Sequence, residues 1–433
     1  MHGVLSLARL YRNQWRSRRE LERRQLVTLR RLVRHAANHV PFYNRLFADA
    51  GVSADDVTCL DDLQRLPIVR REDIQPLPER DLVAHGAVPR DAIRTHTSGS
   101  TGIPLKIISR RSDRSAFNPS FLRVFTAWGL RPWHRMTYFQ ARPESLNQTS
   151  WYERLGIFRR QVLFSGDQPE TWADGLRRWR PRLLHGYALT LKLLAEELIA
   201  SGVSDIHVPL VMSTSGVLDD VARELLRSAL GCRVVDIYAS EEAGSAIAWE
   251  CPRCPGYHIG LDTVIVEFVR DSRPAAAGED ATVLVTNLSN FTMPFIRYDQ
   301  GDVARVSDRQ PSCGRGFPLM DSILGREGDY LVLPSGKKLT PHPFFLVLDH
   351  AVGVGRWQVV QESRESVVVR MTMPGGHNEN ELEIVRSKIH ELVGEGITVD
   401  IEVVDRLRRD SAQKLRSVIC TLPEAQRSLR SPV

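Results

Sequence analysis

The sequence lacks any apolar run long enough to cross a membrane, and it contains few cysteines. Its 433 residues include only short hydrophobic stretches, none of them near the roughly 18 residues that a spanning helix needs. The N-terminus carries one short stretch, Val4 to Leu7, without a small-residue cleavage site, so we expect no secretory signal. Six cysteines in a chain of this length do not make a disulfide framework, which favours a reducing, cytoplasmic location.

No RNA-recognition or KH motif is present either, which argues against nucleic acid as a partner. The first 35 residues nevertheless hold ten arginines against two glutamates, and the net charge of the chain is +6. Leu26, Leu29 and Val33 lie there at helical spacing, so we assign the arginines to the solvent-exposed face of an amphipathic helix. We therefore expect no stable membrane insertion. A basic surface of this kind also suits an acidic protein partner.

The middle of the chain alternates strand-like with helix-like stretches, and no internal repeat interrupts it. The apolar runs 233–237 and 282–286 are typical of strands, whereas 189–200 and 219–230 have the period of helices. This alternation predicts an α/β fold in which helices cover the sheets.

The C-terminal hundred residues have a different character. A strand at 366–372, a helix at 380–393 and a strand at 398–404 predict a compact α+β piece. A chain of this length, 42% hydrophobic, is expected to form two or more domains.

The most informative segment is the run from Thr95 to Lys106. Five hydroxyl side chains and two glycines occupy the eight residues from Thr95 to Gly102, and a proline and a lysine follow. Glycines let backbone N–H groups approach an anion closely, and Ser/Thr hydroxyls add further donors. Apolar flanks, Ile93 before and Leu105, Ile107 and Ile108 after, predict a loop between two strands. The run is not a Walker A loop, and we interpret it as a cradle for a polyphosphate rather than a plain surface turn.

Four further motifs follow this loop in a fixed order. They are Tyr238-Ala239-Ser240-Glu241-Glu242, Arg297-Tyr298-Asp299-Gln300-Gly301-Asp302, Gly325-Arg326 and the late lysine Lys414. The ordered set resembles the adenylate-forming enzymes, that is, acyl-CoA synthetases, luciferases and peptide-synthetase adenylation domains. Within that superfamily, Val40-Pro41-Phe42-Tyr43, Leu66-Pro67-Ile68 and the segment 181–187 resemble the phenylacetate–CoA ligase group.

The resemblance implies a domain organisation. It predicts a large N-terminal ATP- and acyl-binding domain of sheets covered by helices, residues 1–325, and a small mobile α+β lid domain, residues 326–433. The hinge is implied near Gly328, where relatives commonly carry aspartate; glycine is a departure, although a permissive backbone suits a hinge.

The resemblance also implies an ATP site built around the Ser/Gly-rich loop. In this arrangement Tyr238 borders the adenine, and Asp302 accepts hydrogen bonds from the ribose hydroxyls with Arg326 beside it. The β- and γ-phosphates are assigned to Ser98, Gly99, Ser100, Thr101, Gly102 and Lys106.

Glu242 is the implied Mg²⁺ ligand, since the family places a glutamate four residues after the tyrosine; Glu241 is the alternative. Lys414 is implied to reach the carboxylate and the α-phosphate during adenylation, so that Lys414, Glu242 and Lys106 form the catalytic set. Relatives usually carry glycine where Gln413 stands. Rival lysines are Lys337, Lys338 and Lys388.

The acyl pocket is the least determined part of the site. Tyr138 and Phe139, near Trp128 and Trp133, suggest an aromatic wall that suits a flat aryl carboxylate, although each is also an ordinary core residue. The segment 213–217 is implied to line the pocket through Ser215 and Gly216. Val217 stands where related enzymes commonly carry a glutamate, a departure that bears on substrate choice and argues against carrying over phenylacetate itself as the acid.

The cysteines supply a separate pattern. Cys251-Pro252-Arg253-Cys254 is followed by His258, and Cys313 lies about sixty residues later. Thiolates and an imidazole at this spacing suit a tetrahedral structural zinc; alternatively, His258 serves the core or the active site. The other three cysteines are predicted to be buried hydrophobes: Cys59, Cys232 and Cys420.

The leading hypothesis is an ATP- and Mg²⁺-dependent carboxylic acid–thiol ligase that adenylates an aryl acid. The acceptor is coenzyme A or the phosphopantetheine arm of a carrier protein. The alternatives are an adenylyltransferase that passes its acyl-AMP to a non-thiol acceptor, and a non-catalytic scaffold of the same fold.

Overall fold

One large mixed sheet, a smaller C-terminal sheet and two short hairpins form the framework of the protein. The computed structural model describes residues 2–86, 92–96, 105–140, 151–165, 167, 169–216, 218–326, 331–334, 338–339, 344, 347–348, 351–374, 376, 379–394, 396–407 and 417–422.

Helices dominate the N-terminal quarter and then alternate with strands. The α-helices of the described residues are α1 (His2–Asn13), α2 (Arg18–His39), α3 (Pro41–Asp49), α4 (Arg71–Ile74), α5 (Glu79–Leu82), α6 (Phe117–Ala127), α7 (Trp151–Arg154), α8 (Pro169–Trp179), α9 (Ala188–Ala200), α10 (Asp220–Leu230) and α11 (Glu379–Val393). Short 3₁₀ turns occupy Ala54–Asp56 and Asp61–Arg65.

The strands of the described residues run from two to nine residues in length. They are β1 (Ile93–His96), β2 (Lys106–Ser109), β3 (Met136–Gln140), β4 (Arg160–Phe164), β5 (Leu183–Tyr187), β6 (Leu210–Thr214), β7 (Arg233–Ser240), β8 (Ser245–Glu250), β9 (Tyr257–Ile259), β10 (Val264–Arg270), β11 (Arg273–Pro274), β12 (Asp280–Asn287), β13 (Tyr298–Val306), β14 (Leu319–Arg326), β15 (Leu331–Val332), β16 (Lys338–Leu339), β17 (Trp357–Ser363), β18 (Ser366–Met371), β19 (Thr398–Val403) and β20 (Val418–Cys420).

The large sheet joins a parallel half to an antiparallel half. Its order is β11-β10-β12-β13-β14-β9-β8-β7-β6-β5-β3-β4, and β3 to β7 pair in parallel. One face of the parallel half is covered by α8, α9 and α10, and the other by α6 and the antiparallel half. Because parallel strands end at one edge, the segments that follow them meet there, where α/β proteins bind ligands.

Helix α2 confirms the amphipathic prediction for the arginine-rich N-terminus. It begins at Ser17, whose hydroxyl accepts from the Glu20 N–H. Leu29 and Val33 are fully buried, and Leu26 packs against the same core. The arginines lie on the opposite side of the helix, as the spacing predicts.

The C-terminal part forms its own sheet, in the order β19-β18-β17-β20. Helix α11 packs on it through Leu382, Val385 and Ile389. The predicted strand, helix and strand appear as β18, α11 and β19, within two residues of the expected bounds. The predicted hinge residue Gly328 lies outside the described residues.

The prediction that three cysteines are buried holds for two of them. Cys232 and Cys420 are buried, whereas Cys59 is exposed. The Asp62 carboxylate accepts from the backbone N–H groups of Thr58 and Cys59, and this cap fixes Cys59 on the surface before a 3₁₀ turn. Among the described helices, none combines the length and hydropathy that crossing a bilayer requires.

Candidate active site

Tyr238 and Asp302, which belong to different halves of the sheet, meet near the carboxyl ends of the parallel strands. The Tyr238 hydroxyl donates to Oδ2 of Asp302 at 2.7 Å, and both side chains are buried. Three strands separate β7 from β13 in the sheet order, which in a flat sheet would place them about 19 Å apart. Strong curvature of the sheet therefore creates this contact.

A local turn presents Asp302 to the tyrosine. Gly301 adopts a φ of +69°, a conformation that favours glycine, and its N–H donates to the Asp299 carboxylate at 2.8 Å. The Asp302 backbone lies opposite that of Arg326 on β14. The backbone thus places Arg326 beside Asp302; its side chain lies outside the described residues.

The two glutamates after Tyr238 differ in their surroundings. The Glu241 carboxylate accepts from Arg114 at 2.8 Å, and the guanidinium of Arg114 stacks on the Phe117 ring. Glu242 is half-buried, and its backbone carbonyl accepts from the Asn287 amide at 2.9 Å. The assignment of Mg²⁺ to Glu242 stays a prediction that rests on its position four residues after Tyr238.

Lys106 lies at the first position of β2, opposite His96 of β1. Its ammonium donates to Glu79 at 2.6 Å, and Arg94 contacts the same carboxylate at 3.3 Å. The Lys106 hydrogen bond is the largest of the effects that lower the pKa of Glu79. Sequence reasoning missed Glu79, since a glutamate in a short N-terminal helix carries no recognisable signal.

The predicted cradle connects the two strands of a hairpin. β1 and β2 pair in antiparallel fashion from Ile93 opposite Ser109 to His96 opposite Lys106, which confirms the predicted strands on both sides of the run. The cradle residues themselves and the late lysine lie outside the described residues: Ser98, Gly99, Ser100, Thr101, Gly102 and Lys414.

The two predicted walls of the acyl pocket lie on opposite faces of the sheet. Phe139 is buried against Trp172 of α8, with ring centroids 5.1 Å apart. Tyr138, one residue earlier in the strand, faces the α6 side. This corrects the pairing of the two rings in one pocket, because consecutive strand residues alternate between faces. Trp133, 70% exposed, is no wall of a pocket either.

Tyr138 belongs instead to an aromatic cluster that sequence reasoning did not find. Its ring lies 5.5 Å from His185 and 6.1 Å from Phe125, and Phe121 lies 5.6 Å from His185. Burial lowers the pKa of His185 to about 4, so this imidazole is neutral at pH 7. Phe121 and Phe125 are one helical turn apart on α6, a spacing that could have signalled a shared face.

Ser215 and Gly216 follow β6 at the carboxyl edge, and both are exposed. Ser215 has a φ of +57°, unusual for a residue other than glycine. The pair is thus accessible at the edge where Tyr238 also lies. Val217 lies outside the described residues.

Four predicted metal ligands converge at a second place. The Sγ atoms of Cys251, Cys254 and Cys313 and a ring nitrogen of His258 all lie within 4.8 Å of one another. Ligand atoms around a tetrahedral zinc with Zn–S bonds of about 2.3 Å lie about 3.8 Å apart, so the cluster has suitable dimensions. Cys313 Sγ lies 3.3 Å from His258 Nε2.

The surroundings of this cluster suit a metal. His258 Nδ1 contacts the Phe317 carbonyl at 3.1 Å, which directs Nε2 towards the thiols, as second-shell hydrogen bonds do in metal sites. Burial lowers the pKa of His258 to about 4, so its ring is in the neutral form that metals bind. The Arg253 N–H donates to Cys251 Sγ at 3.4 Å.

The sequence is similar to enzymes of known activity. Over 329 residues it is 30% identical to the phenylacetate-coenzyme A ligase of Thermus thermophilus, an alignment that covers 73% of this chain and 72% of that enzyme. The chain belongs to the phenylacetate-coenzyme A ligase family. The Escherichia coli phenylacetate-coenzyme A ligase is 29% identical over 326 residues, 72% of this chain and 73% of that one. The predicted membership is thereby confirmed.

The C-terminal part of this family member matches a second description, the CapK C-terminal domain, over residues 331–421. Among solved structures, a 2-hydroxyisobutyryl-CoA ligase in the postadenylation state superimposes with a TM-score of 0.78, at 20% identity and over 96% of this chain and 93% of that one. An anthranilate CoA ligase gives 0.55 at 16% identity, over 82% and 73%. These likenesses confirm the predicted adenylate-forming fold.

Proposed function

We propose that this protein ligates a carboxylic acid to a thiol in two steps, with ATP consumed to AMP and pyrophosphate. The observation that carries this proposal is the buried Tyr238–Asp302 hydrogen bond at the carboxyl edge of the sheet. The hairpin of the Ser/Gly-rich loop and relatives named phenylacetate-coenzyme A ligase support it.

The chain's side chains have two tasks in this reaction. The first is to neutralise charge, because a carboxylate must approach an anionic triphosphate. Lys106 and the donors of the loop are suited to hold the β- and γ-phosphates, and Lys414 to hold the carboxylate beside the α-phosphorus. Mg²⁺, bound through Glu242, would screen the phosphate oxygens as a hard cation does.

The second task is alignment. The attacking carboxylate oxygen must lie in line with the bond between the α-phosphorus and the pyrophosphate that leaves. When the protein fixes this geometry on binding, the reaction step no longer carries the entropic cost of a bimolecular encounter. Asp302 is suited to anchor the ribose through its carboxylate, while Tyr238 holds that carboxylate in place and borders the base. The thiol then displaces AMP from the acyl carbon, for which the same nucleotide anchor is needed.

The test is acid-dependent pyrophosphate release from Mg²⁺·ATP across benzoates, phenylacetates, cinnamates and fatty acids. Each acid is assayed without acceptor, with coenzyme A and with a phosphopantetheinylated carrier protein. We expect a strong response to one acid class and stimulation by coenzyme A. Stimulation by the carrier protein but not by coenzyme A would identify the carrier as the acceptor. Pyrophosphate release that neither thiol stimulates would favour a non-thiol acceptor. ATP binding without any pyrophosphate release would favour a non-catalytic scaffold.

We propose an aryl acid as the substrate class, on the strength of the cluster around Tyr138. Replacing Phe121 with alanine is expected to lower kcat/KM for the preferred aryl acid about fivefold, since aromatic pairs contribute about 1 kcal/mol beyond their burial. The KM for ATP is expected to stay constant. Phe139→Leu is the matched control, because that ring lies on the other face of the sheet. Equal losses in both variants, with equal melting temperatures, would contradict the assignment.

We further propose that Cys251, Cys254, His258 and Cys313 hold a structural zinc ion. The four ligand atoms form a closed set of the Cys₃His kind, which leaves no open position for substrate. The metal would join the turn after β8 to the segment before β14.

A further inference from the structure

The edge of the parallel sheet opposite the active site carries an unusual surface. The segments 131–136, 154–160 and 178–182 precede or enter β3, β4 and β5, and together they contain eight arginines and no aspartate or glutamate. Arg160 pairs with Glu153 at 3.1 Å. Most of the remaining arginines are exposed, and this surface is called the amino-edge patch below.

Large apolar side chains stand in the middle of these arginines. Trp133 is 70% exposed, Leu155 68% and Ile157 39%. The backbone segments that carry them meet, because the Phe158 N–H donates to the Pro132 carbonyl at 2.5 Å. Single exposed apolar residues are ordinary on protein surfaces, but three of them on adjoining segments that also carry exposed arginines indicate an interaction site.

The backbone holds the patch in a fixed shape. Phe158 and Arg180 adopt φ values of +47° and +49° in the turns that lead into β4 and β5, where residues other than glycine are uncommon. The guanidinium groups of Arg135 and Arg159 lie 5.6 and 5.8 Å from the Trp179 ring centroid. The positive φ angles of Phe158 and Arg180 store backbone strain. Such strain persists where the surrounding structure enforces it, and it is concentrated at functional sites.

The potential at the patch is positive. Burial lowers the pKa of His134, and the charges of Arg182 and Arg131 lower it further. Arg233, which begins β7 at the same edge, stacks on Trp128 at 5.6 Å and extends the basic surface. Such a surface favours an anionic partner.

We propose that the amino-edge patch docks the protein on an anionic lipid surface, without insertion of any segment across it. Tryptophan prefers the headgroup region of a bilayer, leucine and isoleucine suit its acyl boundary, and arginines attract anionic headgroups. A nucleic acid would use the arginines but gain nothing from Leu155 and Ile157. An acidic protein would use both, and it is the alternative that the experiment decides.

The topology makes this orientation useful. The parallel strands of five residues separate the patch from the carboxyl edge by about 17 Å, so docking leaves the Tyr238–Asp302 edge facing the solution. ATP and the thiol acceptor would then reach the site freely. An apolar acid dissolved in the lipid would be concentrated near the enzyme.

The test is co-sedimentation of the full chain with vesicles of phosphatidylcholine alone and vesicles in which about a third of the lipid is phosphatidylglycerol. Binding is expected only to the anionic vesicles and is expected to weaken with salt. The triple variant Arg131→Gln/Arg154→Gln/Arg159→Gln should lower the partition coefficient at least tenfold, because each basic side chain near the surface contributes. Arg19→Gln/Arg23→Gln/Arg30→Gln, on exposed positions of α2, removes the same charge and should lower it far less.

A second pair of variants tests the apolar contribution. Trp133→Ser should weaken vesicle binding several-fold, whereas Val352→Ser, at a 78% exposed position in the C-terminal part, should not. Three results would each overturn the proposal. The first is an equal loss of vesicle binding in the two triple variants, and the second is no preference for anionic vesicles. The third is retention of the protein on immobilised polyglutamate or RNA without binding to vesicles. Unchanged acid-dependent pyrophosphate release in the patch variants would show that the ligase activity is separate.

Discussion

Replacement of Asp302 with asparagine is expected to slow both half-reactions by about two to three orders of magnitude, the size seen when one preorganised electrostatic contact is lost. The substitution keeps the shape of the side chain but removes the charge that accepts from Tyr238 at 2.7 Å and, in our proposal, from the ribose hydroxyls. Because the nucleotide is held by the same groups before and after adenylation, acid-dependent pyrophosphate release and thioester formation from preformed acyl-AMP should fall together.

Tyr238→Phe tests the other partner of the same hydrogen bond. It removes one hydroxyl and leaves the ring, so the Asp302 carboxylate keeps its charge but loses a buried donor. A hydrogen bond to a charged group is worth about 1.5–3 kcal/mol, which predicts a loss of about tenfold to a hundredfold. The double variant should lose little more than Asp302→Asn alone, since residues that act as a unit are not additive.

Lys414→Ala is expected to behave differently and serves as the contrast. Its proposed role belongs to the first step alone, so adenylation should slow far more than thioester formation from preformed acyl-AMP. If Asp302→Asn spared either half-reaction, or if Lys414→Ala impaired both equally, the corresponding assignment would be wrong.

Removal of the proposed zinc ion is the second change with a large expected effect. At a thousandfold excess of zinc over its dissociation constant, a site bound only in the folded state contributes about 4 kcal/mol to the free energy of unfolding. Chelation, or the substitution Cys254→Ser, should therefore lower the melting temperature by several degrees. Cys232→Ser, at a buried cysteine outside the cluster, should retain zinc.

Loss of the zinc is also expected to weaken the packing of the N-terminal segment between α1 and α2. The loop that carries Cys313 continues to Arg315, which donates to the Gln14 side chain at 2.9 Å and stacks on Trp15 at 4.8 Å. Proteolysis between α1 and α2 should thus accelerate when zinc is removed. A structural site binds zinc tightly, so protein purified from zinc-replete cells should contain it. A zinc content below about a tenth of an equivalent would show that the hypothesis is wrong.

Several features follow from the sequence because they depend on local chemistry. The apolar flanks of the Ser/Gly-rich loop form the hairpin of β1 and β2, and the helical spacing of Leu29 and Val33 gives the buried stripe of α2. The Cys-x-x-Cys pattern with His258 and Cys313 predicts four side chains that the fold brings together. Periodicity, turn residues and ligand types are short-range information, and one sequence carries them.

Only the tertiary structure decided what depends on curvature, on strand alternation and on contacts between distant segments. Sheet curvature joins Tyr238 to Asp302 across three strands. Alternation along β3 sends Tyr138 and Phe139 to opposite faces, and the return of a remote helix supplies Glu79 to Lys106. The sequence by itself thus determined the local elements and named the candidate residues, while the packing of the sheet and its helices decided which of those residues meet, because that depends on interactions no local pattern contains.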